Sequence, residues 1–218
     1  MNEEMRTTGY RATSIPRALL LTILMSVTGV ASAAPAFTIG NTDGTPFGTN
    51  PAFTLGWQFT TNAPITVNAL GMFDGGQNGL AESHAVGLWN SAGTLLAAAT
   101  IGNGTSAKLN NQFRYVSIAD LVLAAGQYQV GVLYLTRGAD DLIFPDTPAQ
   151  GFATAPEITF DGSVFTSGSA MDNPVNTIFS PSIAGYFGPN LNLSDVPAPA
   201  SLALFALGFA GLGWSRRK

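Results

Sequence analysis

Hydrophobic and polar residues alternate along residues 53–60: Phe53, Leu55, Trp57 and Phe59 fall on one side, Thr54, Gly56, Gln58 and Thr60 on the other. That period of two predicts a strand with one face buried. The same phase returns over residues 65–73 in Ile65, Val67, Ala69, Gly71 and Phe73, and over 127–135 in Tyr128, Val130, Val132 and Tyr134. Shorter apolar stretches at 84–89, 94–101, 110–118 and 121–123 read as further strands. Gly, Pro, Asn, Thr and Ser separate them, roughly every eight to twelve residues. Beyond residue 144 the pattern loosens. Residues 157–160 and 164–166 flank Asp161-Gly162, a two-residue hairpin signal. A last strand is expected at 183–187, closed by Gly188-Pro189-Asn190, with residues 190–199 left as a polar tether. No stretch of this body sustains a helical period with caps. The prediction is all-β: a single antiparallel β-sandwich, jelly-roll-like.

Both ends break the alternation. Residues 18–30 are an apolar run of 13, preceded by Arg6, Arg11 and Arg17 and followed by Ala31-Ser32-Ala33. A basic lead, a short apolar helix and small residues at Ala31 and Ala33 are the parts of a signal peptide, with cleavage by signal peptidase expected after Ala33. At the other end, residues 200–214 are apolar apart from Ser201, and Arg216, Arg217 and Lys218 follow. From Val196 to Trp214 there are 19 residues, about 28 Å of helix against a hydrocarbon core of ~30 Å. This segment is expected to be a transmembrane helix with its basic end held on the cytoplasmic side. The expected organisation is a signal peptide at 1–33, an exported β-sandwich at 34–195 and a membrane-spanning tail at 196–218.

The order of parts in the tail carries a resemblance. Val196, Pro197, Ala198 and Pro199, then the apolar span, then Arg216, Arg217 and Lys218 resemble the bacterial PEP-CTERM sorting signal. In that family a Val-Pro-Glu-Pro motif leads the span, and Ala198 stands here where the family has Glu. The resemblance implies processing by exosortase, a membrane transpeptidase-like enzyme. It also implies a transient stay in the inner membrane before transfer to the cell surface or extracellular matrix. Separately, GLWNSAGTLLAAATIGNGT and FRYVSIADLVLAAGQYQVGVLY resemble a β-sandwich domain of uncharacterised function found in bacterial exported proteins. That likeness implies a fold and no chemistry.

Charge and composition narrow the partners. Between Ala34 and Asp195 the only cations are Lys108, Arg114 and Arg137, against eleven Asp and Glu, which leaves that body at −8 where the whole chain is −4. So acidic a surface argues against nucleic acid, which is bound by displacing counterions with Lys and Arg. It argues equally against adhesion to anionic lipid. Cysteine is absent, which excludes disulfides, thiolate zinc sites and cysteine nucleophiles.

Candidate chemistry is sparse. His84 is the sole histidine, no Gly-x-Ser-x-Gly elbow accompanies it, and it reads as structural. Asp74, Asn78 and Glu82 lie on one Gly-rich loop and offer three oxygen ligands of the kind calcium takes, although the loop departs from the EF-hand pattern. Trp57, Trp89, Tyr115, Tyr128 and Tyr134 invite a sugar-stacking reading, but their in-phase positions make core packing the cheaper explanation. The sequence therefore reads as an exported, non-enzymatic surface or matrix protein without a cofactor. The alternative is a module that binds carbohydrate or exopolysaccharide.

Overall fold

The strand with the cleanest alternation lies in the interior of the larger sheet. The computed structural model describes residues 34–40, 44–46, 52–135, 139–143, 152–179 and 188–194. Its first strands are β1 (Ala34–Pro35), β2 (Phe37–Thr38), β3 (Thr45–Pro46), β4 (Phe53–Thr61) and β5 (Ile65–Phe73). Then come β6 (His84–Asn90), β7 (Leu95–Ile101), β8 (Lys108–Asn110), β9 (Phe113–Leu123) and β10 (Gly126–Tyr134). Last are β11 (Asp141–Leu142), β12 (Ala153–Thr154), β13 (Ile158–Ser167), β14 (Asn176–Phe179) and β15 (Pro189–Ser194).

One sheet has the order β14-β13-β4-β10-β6-β7, the other β1-β15-β5-β9-β8, and β3 with β11 and β2 with β12 form two-stranded pieces. The two larger sheets stack, β5 and β9 against β6 and β7, and β15 against β4 and β10. The described residues are all-β and form the expected antiparallel sandwich.

Burial explains the pairing. Leu55, Trp57 and Phe59 of β4 and Val130 and Val132 of β10 are at most 1% exposed and join one core cluster. Phe37 sits edge-on to both Trp57 and Phe113, each with ring centroids 5.3 Å apart. The Trp57 indole N–H donates to the Pro189 carbonyl at 2.9 Å, so one side chain stitches the two sheets together and satisfies its own polar atom. On the other side of β4, Thr54 is also buried, and the Asp172 N–H donates to its hydroxyl at 3.2 Å.

Three sequence expectations need correction. Asp161-Gly162 makes no hairpin: it lies inside β13, which pairs with β4 on both sides of it, and the register shift between Phe160 and Gly162 absorbs one residue. Thr60 Oγ1, at 2.7 Å, and Gln127 Nε2, at 3.1 Å, hold the displaced Asp161 carboxylate. A β-bulge and a turn share the same residue chemistry. Residues 110–118 and 121–123 are not two separate strands, since β9 runs unbroken through Ile118–Leu121. Finally, residues 190–194 are no tether. They belong to β15, which lies between β1 and β5, with Leu191 fully buried. The flanking Asn190 and Asn192 look solvated in sequence, but Asn190 donates to the Phe37 carbonyl at 3.0 Å and Asn192 to Asn68 at 2.8 Å.

The strand expected at 183–187, the signal segment and the tail lie outside the described residues. Among the described residues, no helix is long and apolar enough to cross a membrane.

Candidate functional site

The loop from β5 to β6 leaves the sheet at Phe73 and folds onto itself around Asp74. The Gln77 N–H donates to the Asp74 carbonyl at 3.1 Å, and the Gly79 N–H donates to Asp74 Oδ2 at 3.0 Å. Gly79 takes φ +106°, and a Cβ there would come within 2.8 Å of the Gly104 backbone, so only glycine fits. Two backbone hydrogen bonds between Leu80 and Gly104 then clamp this loop to the turn after β7.

A buried ion pair underlies the loop. Arg114 of β9 donates from Nε to Asp74 Oδ2 at 2.7 Å, and the two side chains are 4% and 3% exposed. The rest of the guanidinium reaches the carbonyls of Thr105, Ala107 and Gln77 at 2.9, 3.1 and 3.2 Å. One planar cation thus ties three segments together, a task suited to the fixed fork of arginine.

His84 begins β6 and is fully buried. Its Nδ1 lies 2.9 Å from the Leu133 carbonyl and its Nε2 2.9 Å from Asp140 Oδ2. Both ring nitrogens are engaged by oxygen partners. Asp140 also accepts the N–H groups of Ala81 at 2.7 Å and Glu82 at 3.0 Å. Burial pushes the Asp140 carboxyl up, but the hydrogen bonds from His84, Ala81 and Glu82 and the His84 charge outweigh it, and the carboxyl is held below the usual range. Tyr134 packs edge-on to the imidazole at 5.2 Å. Burial, then the charges of Asp140 and Asp141, push its phenol well above the ordinary value. It is a neutral donor to the Asp141 carbonyl at 3.2 Å.

Between Asp74 and Asp140 lies a cleft of about 320 Å³ whose lining includes both, with Asn78 and Asp141. The structure brings Asp74 and Asn78 of the expected calcium trio to this cleft, and Glu82 is not part of its lining. Among the described residues, no group of three or more His, Asp or Glu is placed to hold a metal. Chemically the arrangement is a lock. Both His84 nitrogens are engaged within the fold, and Asp74 Oδ2 is committed to Arg114 and Gly79.

The stacking aromatics are core residues: Trp57, Trp89, Tyr115, Tyr128 and Tyr134 are all at most 9% exposed. Ala31, Ala33 and the tail residues Val196, Pro197, Ala198, Pro199, Arg216, Arg217 and Lys218 lie outside the described residues. Sequence reasoning missed Arg114 and the pairing of Asp140 with His84. Arg114 left a signal, being one of three cations in an acidic body and set between Phe113 and Tyr115 of a strand. The Asp140 pairing left none, since its partner is 56 residues away.

Comparison with known families adds two findings. The family model of the domain of unknown function DUF4082 matches residues 41–182. The model of the PEP-CTERM protein-sorting motif matches residues 195–218, with Ala198 in the position of the family's Glu. That motif implies export, handling by an exosortase-type membrane enzyme and membrane-associated sorting to the cell surface. No curated protein and no solved structure matches the chain.

Proposed function

The chain belongs to the DUF4082 family, and from that premise we propose that it is a non-enzymatic β-sandwich of the cell surface or extracellular matrix. In this reading, residues 1–33 are removed by signal peptidase, residues 34–195 are the exported domain, and residues 196–218 anchor it until processing. The observation that carries the reading is the sorting motif, which begins at residue 195, directly after β15 ends at Ser194. A cut near residues 196–199 would therefore leave the described strand pairs intact. The apolar run at 200–214 supplies the anchor, and Arg216, Arg217 and Lys218 set its orientation. The non-enzymatic part is supported by the locked His84, the chain's one histidine, with both nitrogens engaged.

The test is fractionation of the native host. The full-length chain is expected first in the inner membrane and then, shortened at its C-terminus, at the surface or in the matrix. Deleting residues 196–218 should send the domain to the medium with no membrane stage. Recovery of soluble periplasmic protein that still carries Lys218 would overturn the sorting role, and turnover in a substrate screen would overturn the non-enzymatic one.

A further inference from the structure

The five-stranded sheet carries a second concavity, of about 400 Å³. Lys108, Asn110, Tyr115 and Ser117 form one side, and Asn68 and Asn192 the other. The pairing register explains the trough. Ala69 stands opposite both Ser117 and Asn192, and Gly71 stands opposite Tyr115. The central strand β5 therefore offers small side chains where its neighbours offer polar ones. Tyr115 lies across Gly71, where an added Cβ would come 2.6 Å from the ring.

We propose that this trough binds a neutral saccharide chain through the Tyr115 hydroxyl and the amides of Asn68, Asn110 and Asn192. The proposal names a ligand class that the surface-protein reading leaves open, and it rests on that reading only for an extracellular setting.

Two independent observations point to a ligand. The Tyr115 hydroxyl is buried, in a residue 7% exposed, and has no hydrogen-bond partner. Buried polar atoms in native folds are nearly always satisfied, so an orphan at the wall of a cleft marks a place for an incoming group. Burial pushes the phenol well above its ordinary value, so the group stays a neutral donor and acceptor. The second observation is the bulge. The register of β5 shifts at Asn68 against β9, between Val67 and Ala69, and β15 shifts against β5 at the same level, between Asn192 and Leu193. Bulges re-aim side chains and gather beside functional sites, and this one sets Asn68 in the trough.

The lining chemistry selects the class. Asn192 Nδ2 donates to Asn68 Oδ1 at 2.8 Å, which leaves the Asn68 N–H groups and the Asn192 carbonyl for a ligand. Amides and hydroxyls each donate and accept, which matches a ligand whose hydroxyls do the same. Lys108 and Asp120, both in the lining, cancel in charge, so an anion gains nothing there that the carboxylate does not take away. Ile118, half-buried in the lining, adds apolar surface for a sugar's C–H face.

The experiment uses the full-length chain in detergent micelles, on an array of neutral and uronic-acid oligosaccharides. Calorimetry follows with the strongest neutral hit and with inorganic phosphate. Saturable binding of a neutral oligosaccharide is expected, with no heat from phosphate. Tyr115→Phe and Asn68→Ala should each weaken that binding about tenfold. Tyr115→Phe should leave the melting temperature unchanged or raised, because it removes an unpartnered hydroxyl. The proposal is overturned if no neutral oligosaccharide binds, if only uronic acids or phosphate bind, or if both variants bind like the parent. None of these outcomes touches the sorting role, which is read by fractionation.

Discussion

Ala34 stands directly opposite Leu193 in the antiparallel pairing of β1 with β15. The first residue after the expected signal cleavage and a residue just before the sorting motif thus share one corner of the sheet. Both processing events would act on chain leaving that corner, and neither would open a strand pair.

The first prediction follows at Ala33. Signal peptidase takes small side chains at Ala31 and Ala33, so Ala33→Trp is expected to leave an uncut precursor of higher mass. Mass spectrometry and N-terminal sequencing of the exported protein check it. A normal Ala34 N-terminus in the variant would remove the cleavage site from this position.

Arg114 and Asp74 form a charge pair with both side chains buried. Breaking one partner of such a pair costs about 3–5 kcal/mol, whereas replacing both with apolar residues costs much less. Arg114→Met and Asp74→Leu are each expected to lower stability in that range by urea unfolding. The double variant should recover part of the loss, limited by the carbonyls of Thr105, Ala107 and Gln77 that Arg114 leaves behind.

The Asp140–His84 contact predicts a pH dependence. The folded carboxyl of Asp140 titrates below its unfolded value, so on acidification the unfolded chain takes up the proton first. Its contribution is therefore whole above the unfolded value of about 3.9 and is lost as pH falls through the lower folded value. Asp140→Asn should melt at a lower temperature than the parent at pH 7, and the gap should close below about pH 4. A gap of constant size across that range would mean that the lost hydrogen bonds, and not the charge, hold the segment.

For the calcium reading of Asp74, Asn78 and Glu82, the charge balance sets the expectation. Arg114 already neutralises Asp74, and Glu82 is not part of the cleft lining. We expect no saturable heat with calcium up to about 10 mM, above the ~10⁻⁴–10⁻³ M range of extracellular calcium modules. A saturable heat together with a raised melting temperature would establish the site.

Sequence by itself determined the strands whose alternation runs long. β4, β5 and β10 are legible because Leu55, Trp57, Phe59, Val67, Val130 and Val132 repeat at period two, and a single buried face enforces that repeat locally. It also determined the acidic, cysteine-free character of the body, the composition of both ends and the order of the sorting tail. Tertiary structure alone decided which polar residues are inside. Asn190 and Asn192 read as linker until a neighbouring strand supplies their partners. Asp161-Gly162 reads as a turn until β4 holds both of its flanks in register. The Tyr115 trough is assembled from residues of β5, β8, β9 and β15, spread from Asn68 to Asn192. Periodicity records which face of a strand is buried. It carries no information on which strand lies beside it, and hydrogen bonds, bulges and binding sites are made by that neighbour.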